Sequence, residues 1–333
     1  MIQHQRAVRV AALVAALLLA TTGCSGTGGK KAEQAAGRLG AGVADTPRMK
    51  VAMVTHAPAG DTFWDLIRKG AQAAADKDNV ELRYSAAEQA GDQANLVEQA
   101  LAEGVDGIAL TLAKPDAMKA AVAKAEAAGV PVVAFNAGLD NWKDLGVLEY
   151  FGQDESIAGR TAGQRLASEG AKKVLCVIHE QGHVALEARC AGVKQGMPGG
   201  SVENLNVTGT DMPSVRSAIT GKLTQDPGID RVITLGAPFA LAAVRSVKDA
   251  GGRAGVVTFD TNKALVAAVK SGDVRWAIDQ QPYLQGYLAV DSLWLYKSNG
   301  NVLGGGQTVL TGPSFIDREN IAKISKFAIQ GTR

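Results

Sequence analysis

From residue 49 onward the chain alternates short apolar runs with longer segments whose apolar residues recur every three or four positions. Lys50-Val-Ala-Met-Val-Thr55 is the first run, followed by a polar, glycine-containing turn. Residues 63–77 then place Phe63, Leu66, Ile67, Gly70 and Ala71 on one helical face. Residues 80–84 alternate as a strand, 93–103 read as helix, 107–111 as strand, 115–128 as a helix with Pro115 at its start, and 130–135 as a buried strand. A second series follows. A short strand ends at 150–152, and strands at 173–178, 202–207, 231–235, 255–259 and 275–279 alternate with helices at 155–168, 186–195, 213–224, 237–249, 262–270 and 284–298. A last strand at 307–310 and a closing helix at 317–330 complete the pattern. Repeated βα units of this length predict an α/β fold of two doubly wound parallel-sheet lobes with right-handed crossovers. In such sheets small ligands sit at the carboxyl ends of the strands, so two facing lobes make a cleft.

The predicted strand ends are polar. His56, Asp61, Phe63 and Trp64 follow the first strand, and Asn136 follows 130–135. His179 and Glu180 follow 173–178, with Arg189 on the next helix. Asp260 and Asn262 follow 255–259, and Asp279, Gln280 and Gln281 end the strand at 275–279. Carboxylates and amides pair with vicinal hydroxyls, arginine forks across two oxygens, and flat rings cover C–H faces. That mixture suits a hydroxyl-rich ligand and holds no obvious nucleophile. Taken singly, each residue is equally well a helix cap or a solvated loop residue, Asp260 and Asn262 among them. Recurrence at strand after strand favours a site.

The start of the chain changes the picture of where this happens. Residues 1–9 carry Arg6 and Arg9 and no acid, and 10–20 are an unbroken apolar run of 11, too short to span a bilayer. Thr21, Thr22, Gly23 and Cys24 follow, so residues 1–23 read as a secretory signal. Its end resembles a bacterial lipobox, which makes Cys24 a lipidated N-terminus; the alternative is an ordinary signal with Cys24 left in a tail. Residues 24–48 read as a tether. Without residues 1–23 the chain has 33 basic and 33 acidic residues, which supplies no basic face for nucleic acid. Two cysteines remain, Cys176 and Cys190. In an exported protein an even pair points to a disulfide; two buried free thiols are the alternative.

His56-Ala-Pro-Ala-Gly-Asp-Thr-Phe-Trp64, Gly129-Val-Pro-Val-Val-Ala-Phe-Asn136, Gly152-Gln-Asp154 with Ala158-Gly159, Glu187-Ala-Arg189 with Gly192, Thr258-Phe-Asp260 and Ile278-Asp-Gln-Gln-Pro282 together carry a resemblance. From Met49 onward the chain resembles the type I periplasmic sugar-binding proteins, the ribose-binding-protein-like solute receptors of ABC importers. The resemblance implies no enzyme activity and no cofactor. It implies two lobes joined by a three-stranded hinge, one of residues 49–153 plus 282–312 and the other of 154–281 plus 313–333. It implies ligand contacts from Asp61, Phe63, Trp64, Asn136, Arg189, Asp260 and Gln280, to which the strand-end reading adds His56, His179 and Glu180. The implied partners are a small neutral sugar or polyol and an ABC permease. The implied state is a monomer held by lipid on the outer side of the cytoplasmic membrane. The chain departs from the family in having Ala237-Pro238 after 231–235, where Asn-Asp is common, and Asn136-Ala137 where ribose binders often place Asp-Arg. The ligand therefore stays open among ribose, pentitols, tetritols, inositol, galactofuranose and a furanosyl signalling molecule.

Two rival chemistries remain. His179-Glu180-Gln181-Gly182-His183 is a literal H-E-x-x-H, a zinc-protease signature when it lies on a helix. Here it follows a strand and contains Gly182, which predicts a loop and no metal. Asp61 and Asp260 also form a candidate carboxylate pair for an exported carbohydrate hydrolase.

Overall fold

A computed structural model describes residues 43–58 and 60–333; the segment read as a signal peptide, and Cys24, lie outside them. The described residues form two six-stranded sheets. The first lobe runs β1 (Met49–Thr55), α1 (Thr62–Lys77), β2 (Val80–Ala86), α2 (Ala90–Ala102), β3 (Gly107–Leu110), α3 (Pro115–Ala127), β4 (Val132–Phe135) and β5 (Glu149–Gln153). The chain then crosses into α4 (Glu155–Ser168), β6 (Lys173–Ile178), α5 (Val184–Gly196), β7 (Ser201–Asn206), α6 (Met212–Gln225), β8 (Arg231–Thr234), α7 (Ala237–Asp249), β9 (Gly255–Phe259), α8 (Lys263–Ser271) and β10 (Val274–Asp279). It returns through α9 (Pro282–Asn299) and β11 (Val309–Gly312), and ends with β12 (Ser314–Asp317) and α10 (Ile321–Gln330). The strand orders are β2-β1-β3-β4-β5-β11 and β7-β6-β8-β9-β10-β12. Each sheet therefore reverses direction beside its first strand, between β1 and β3 and between β6 and β8, where α/β sheets of this order open a ligand crevice.

The central strands are buried on both faces, which is why they read as continuous apolar runs; edge strand β7 is largely exposed and far less apolar. Helix starts are set by side chains. Asp61 accepts from Phe63 N–H, Asp154 from Ile157 N–H and Asn262 from Leu265 N–H. Each lobe also contains one glycine-packed helix pair. A Cβ on Gly70 of α1 would lie 1.9 Å from Tyr283 O of α9. One on Gly159 of α4 would lie 2.2 Å from Arg189 O of α5, and Gly196 is equally tight against Arg160 O. The α4–α5 contact brings the first turn of α4 against the middle of α5, with consequences for the site.

The end of the chain differs from the sequence reading. One strand at 307–310 is expected; the structure has two, on either side of Pro313, in different lobes. β11 runs parallel to β5, whereas β12 pairs antiparallel with β10. Ser314-Phe-Ile-Asp317 is too short to show a period, and its pairing is tertiary. Cys176 on β6 and Cys190 on α5 form a disulfide with Cα atoms 5.9 Å apart. Among the described residues, no helix is long and apolar enough to cross a membrane.

Candidate functional site

The strand ends of the two lobes enclose a cavity of about 270 Å³. From the first lobe it is lined by His56, Asp61, Phe63, Trp64, Glu88 and Asn136. The second lobe contributes His179, Glu180, Arg189, Asp260 and Thr261 together with an apolar group of Leu186, Met212, Leu235, Pro238 and Phe239. Gln280 lines it from the connection at the end of β10. All ten residues singled out as candidate ligand contacts thus share one cavity. Asp279, Asn262 and Gln281, also at strand ends, do other work. Asp279 pairs with Arg333 at 2.6 Å, Asn262 caps α8, and Gln281 donates to Thr311 O.

Charge in the cavity is organised around Arg189. Its guanidinium is forked by Glu155, with Nη2 2.9 Å from Oε1 and Nε on Oε2, and Nη1 donates to Leu235 O at 3.2 Å. Both side chains are about 95% buried. Burial alone would discourage the Arg189 charge; the adjacent Glu155 carboxylate outweighs it and keeps the group firmly protonated. Sequence reasoning treats Arg189 as free to fork a ligand and misses Glu155 altogether. The acid is delivered by the α4–α5 glycine contact, and its only local signal is a second carboxylate beside the cap Asp154. Gln153, the last residue of β5, donates to the same Glu155 Oε2 at 2.7 Å, which ties the pair to the first crossing between lobes.

A second chain of bonds spans the cleft. Asn136 Nδ2 donates to Gln280 Oε1 at 3.2 Å, and Gln280 Nε2 donates to Asp260 Oδ1 at 2.8 Å. Burial pushes the Asp260 carboxyl up to about 7, against the pull of Arg189 and Gln280. Asn136 and Asp260 hold left-handed backbone, with φ of 68° and 63°, as does Gln281 at 56°. Asn and Asp tolerate this conformation better than other side chains, and such strain collects at functional sites. Asp61 serves as the cap of α1, and burial raises its carboxyl despite the bond from Phe63 N–H.

The rings lie on both lobes. Phe63 and Trp64 meet edge to face at 5.3 Å, and Trp64 meets His56 the same way at 4.7 Å. Across the cavity His179 stacks on Phe239, centroids 4.1 Å apart and 16° from parallel. Burial, then the Arg189 charge, pushes His179 down to about 3. Phe239 escaped the sequence reading because it lies on the first turn of α7, past the departure at Ala237-Pro238. His179 Nδ1 and Thr261 Oγ1 are buried with no hydrogen-bond partner among the described residues, and both residues line the cavity.

The H-E-x-x-H segment is a loop, as its glycine predicts. His179 follows β6, while His183 is the N-cap of α5, accepting Ala185 N–H at Nδ1. Ligand atoms of His56, Glu180 and His183 do lie within 4.8 Å of one another. The Ala185 amide, however, occupies the Nδ1 lone pair of His183 and so puts the ring proton on Nε2, where a metal would have to bind. The two histidines are engaged in hydrogen bonds and Glu180 faces Lys114 at 3.2 Å.

Known proteins share the fold of the two lobes. Residues 51–301 fit the family model described as periplasmic binding protein domain. The chain belongs to that family. This periplasmic binding protein is 55% identical to a carbohydrate transporter from Acidothermus cellulolyticus solved in complex with myo-inositol; the match covers 86% of this chain and all of that one, with a TM-score of 0.85. It is 27% identical to the xylose/arabinose-binding protein XylF of Sulfolobus acidocaldarius, over 68% of this chain and 60% of that protein's length. It is also 27% identical to the xylitol-binding protein of Mycolicibacterium smegmatis, over 62% of this chain and 60% of that protein.

Proposed function

We propose that the protein is an extracytoplasmic solute-binding protein that captures a small neutral cyclic polyol or sugar between its lobes and presents it to an ABC permease. The convergence of ten polar and aromatic side chains from both lobes on one cavity carries this reading. The size fits a single ring, since 270 Å³ lies below the roughly 300–1,000 Å³ usual for drug-sized ligands. The chemistry fits vicinal hydroxyls between C–H faces. Asn136, Gln280, Asp260, Thr261 and His179 supply donors and acceptors, with Phe63 and Trp64 on one side and Phe239 on the other. An anionic solute is disfavoured: Arg189 is already matched by Glu155, and Asp61, Glu88 and Asp260 line the same space.

Myo-inositol is the first candidate, supported by the 55% identical neighbour solved with it. Periplasmic binding proteins are themselves a standing example of hinge closure around a ligand. The connections at Gln153–Glu155, Asp279–Pro282 and Gly312–Ser314 are the three that would bend. Calorimetry and melting shift across inositol isomers, pentitols and pentoses test the reading. One compound should raise the melting temperature by mass action and be recovered unchanged. Steady turnover would instead support the hydrolase. Lipid attachment at Cys24 belongs to the same reading, and mass analysis of the N-terminal peptide of the membrane-bound protein checks it.

A further inference from the structure

We propose that His56 and His183 are positioning residues that latch the two lobes together beside the cavity, and that acidification releases the latch. The inference rests on the reading of the cavity as a site that closes on solute. His56 follows β1 in the first lobe; His183 caps α5 in the second. Their Nε2 atoms are 3.0 Å apart, and both residues are 5% exposed although both stand outside regular elements. The two rings meet edge to face across the junction, centroids 4.8 Å apart. Val184 N–H donates to Ala113 O across the same junction at 3.1 Å, and Ala113, Ala137 and Ala185 are buried together there. These contacts exist only while the lobes meet.

The tautomers follow from the partners. Ala185 N–H points at His183 Nδ1, so the His183 proton sits on Nε2 and is donated to His56 Nε2. The His56 proton then sits on Nδ1, 2.7 Å from Thr111 Oγ1; the same hydroxyl accepts His56 N–H at 3.1 Å, while Gln93 Nε2 donates to Thr111 O at 2.9 Å. The opposite tautomer of His56 would set two N–H groups face to face at 3.0 Å. In the closed arrangement every ring nitrogen is therefore engaged, and each lone pair faces a donor. A further proton enters only if the pair breaks. Separated lobes leave each ring accessible with its ordinary value near 6.5.

The surrounding charges act in the same direction. Lys114, from the loop after β3, and Arg189, from α5, oppose a charged imidazole, while the neighbouring His179 after β6 is itself held down to about 3 and stays neutral over the range tested. Glu180 is held by Lys114 at 3.2 Å and Glu155 by Arg189. Asp61, Glu88 and Asp260 line the cavity that His56 borders and offset only part of this, because burial holds His56 down to about 3.

The sign is set by linkage. A ring whose closed-state value is depressed favours the open state once pH falls below about 6.5, so closure and affinity are full above neutrality and lost in acid. With EDTA present, myo-inositol affinity is measured by calorimetry at pH 7.5 and 5.0. The wild type should bind on the order of 30-fold more weakly at pH 5.0 for each ring that charges on opening. His183→Asn keeps an N-capping side chain but has no proton to gain. It should bind several-fold more weakly at pH 7.5 and show a much flatter pH profile. Equal pH dependence in wild type and variant overturns the proposal. Imidazole ¹⁵N titration compares the ligand-free with the solute-saturated protein: His56 and His183 should charge near 6.5 when free and resist protonation well below 6.5 when saturated. The same titration of both rings in the two states overturns the latch. Absence of myo-inositol binding at every pH would defeat the choice of solute, and the titration is then run with the compound that raises the melting temperature.

Discussion

The two lobes repeat one strand order and one glycine-packed helix pair, yet they bring different chemistry to the cleft. The first lobe offers rings and caps. Phe63 and Trp64 stand on the first turn of α1, which the Asp61 cap starts. The second lobe holds the buried charge. Arg189, Glu155 and Asp260 lie there behind an apolar group ending in Phe239, and the Cys176–Cys190 disulfide joins β6 to α5, the helix that carries Arg189. On the proposed reading, the same fold divides recognition between stacking area and fixed electrostatics. The charged half is the costlier to maintain, because a buried ion pair needs both partners.

Breaking the charged half should give the largest effect. Arg189→Ala leaves Glu155 buried without its partner, so it should cost about 3–5 kcal/mol of stability as well as solute binding. Denaturant unfolding beside calorimetry checks this; a loss of affinity with unchanged stability would contradict the structural role given to the pair. Asp260 should show the opposite balance. Its folded-state value lies near 7 against 3.8 unfolded, so the folded protein holds the extra proton and stability falls as pH rises from about 4 to 7. Asp260→Asn should then be more stable than wild type at pH 8 by up to roughly 4 kcal/mol, with the gain vanishing near pH 4 and affinity reduced. Melting curves of both proteins across that range decide it.

Two smaller effects sharpen the contrast. The disulfide closes a separation of 14 residues within the second lobe, so its removal should cost about 3 kcal/mol in the chain-entropy picture. Hydrogen exchange after reduction should rise in β6 and α5 and leave β1 and α1 unchanged. Phe63 is only half-buried. Phe63→Ala should weaken solute binding by about 1 kcal/mol and barely move the melting temperature. A large stability loss would place the ring in the core rather than at the site.

Apart from β12, the strands of both sheets and the residues closing them were legible because buried parallel strands are unbroken apolar runs, and a polar residue straight after such a run stands out. His56, Asn136, His179 and Asp260 are all of this kind. Glu155, Phe239 and His183 were harder to see. Each lies on a helix or at its start, where an acid, a ring or a cap has an ordinary local explanation, and nothing within a few residues says what it will meet. β12 failed for a related reason: four residues carry no period, and its partner lies about 40 positions earlier in the chain.

Local sequence thus determined the α/β units, the caps, and the identity of the groups presented at the strand ends, since those follow from periodicity and side-chain chemistry over a few neighbours. Tertiary structure alone decided the partners: Glu155 for Arg189, Phe239 for His179, His183 for His56. The physical reason is distance along the chain. Those pairs are 34, 60 and 127 residues apart, and only the α4–α5 helix contact, the pairing of β6 with β8 and the meeting of the two lobes bring them within reach.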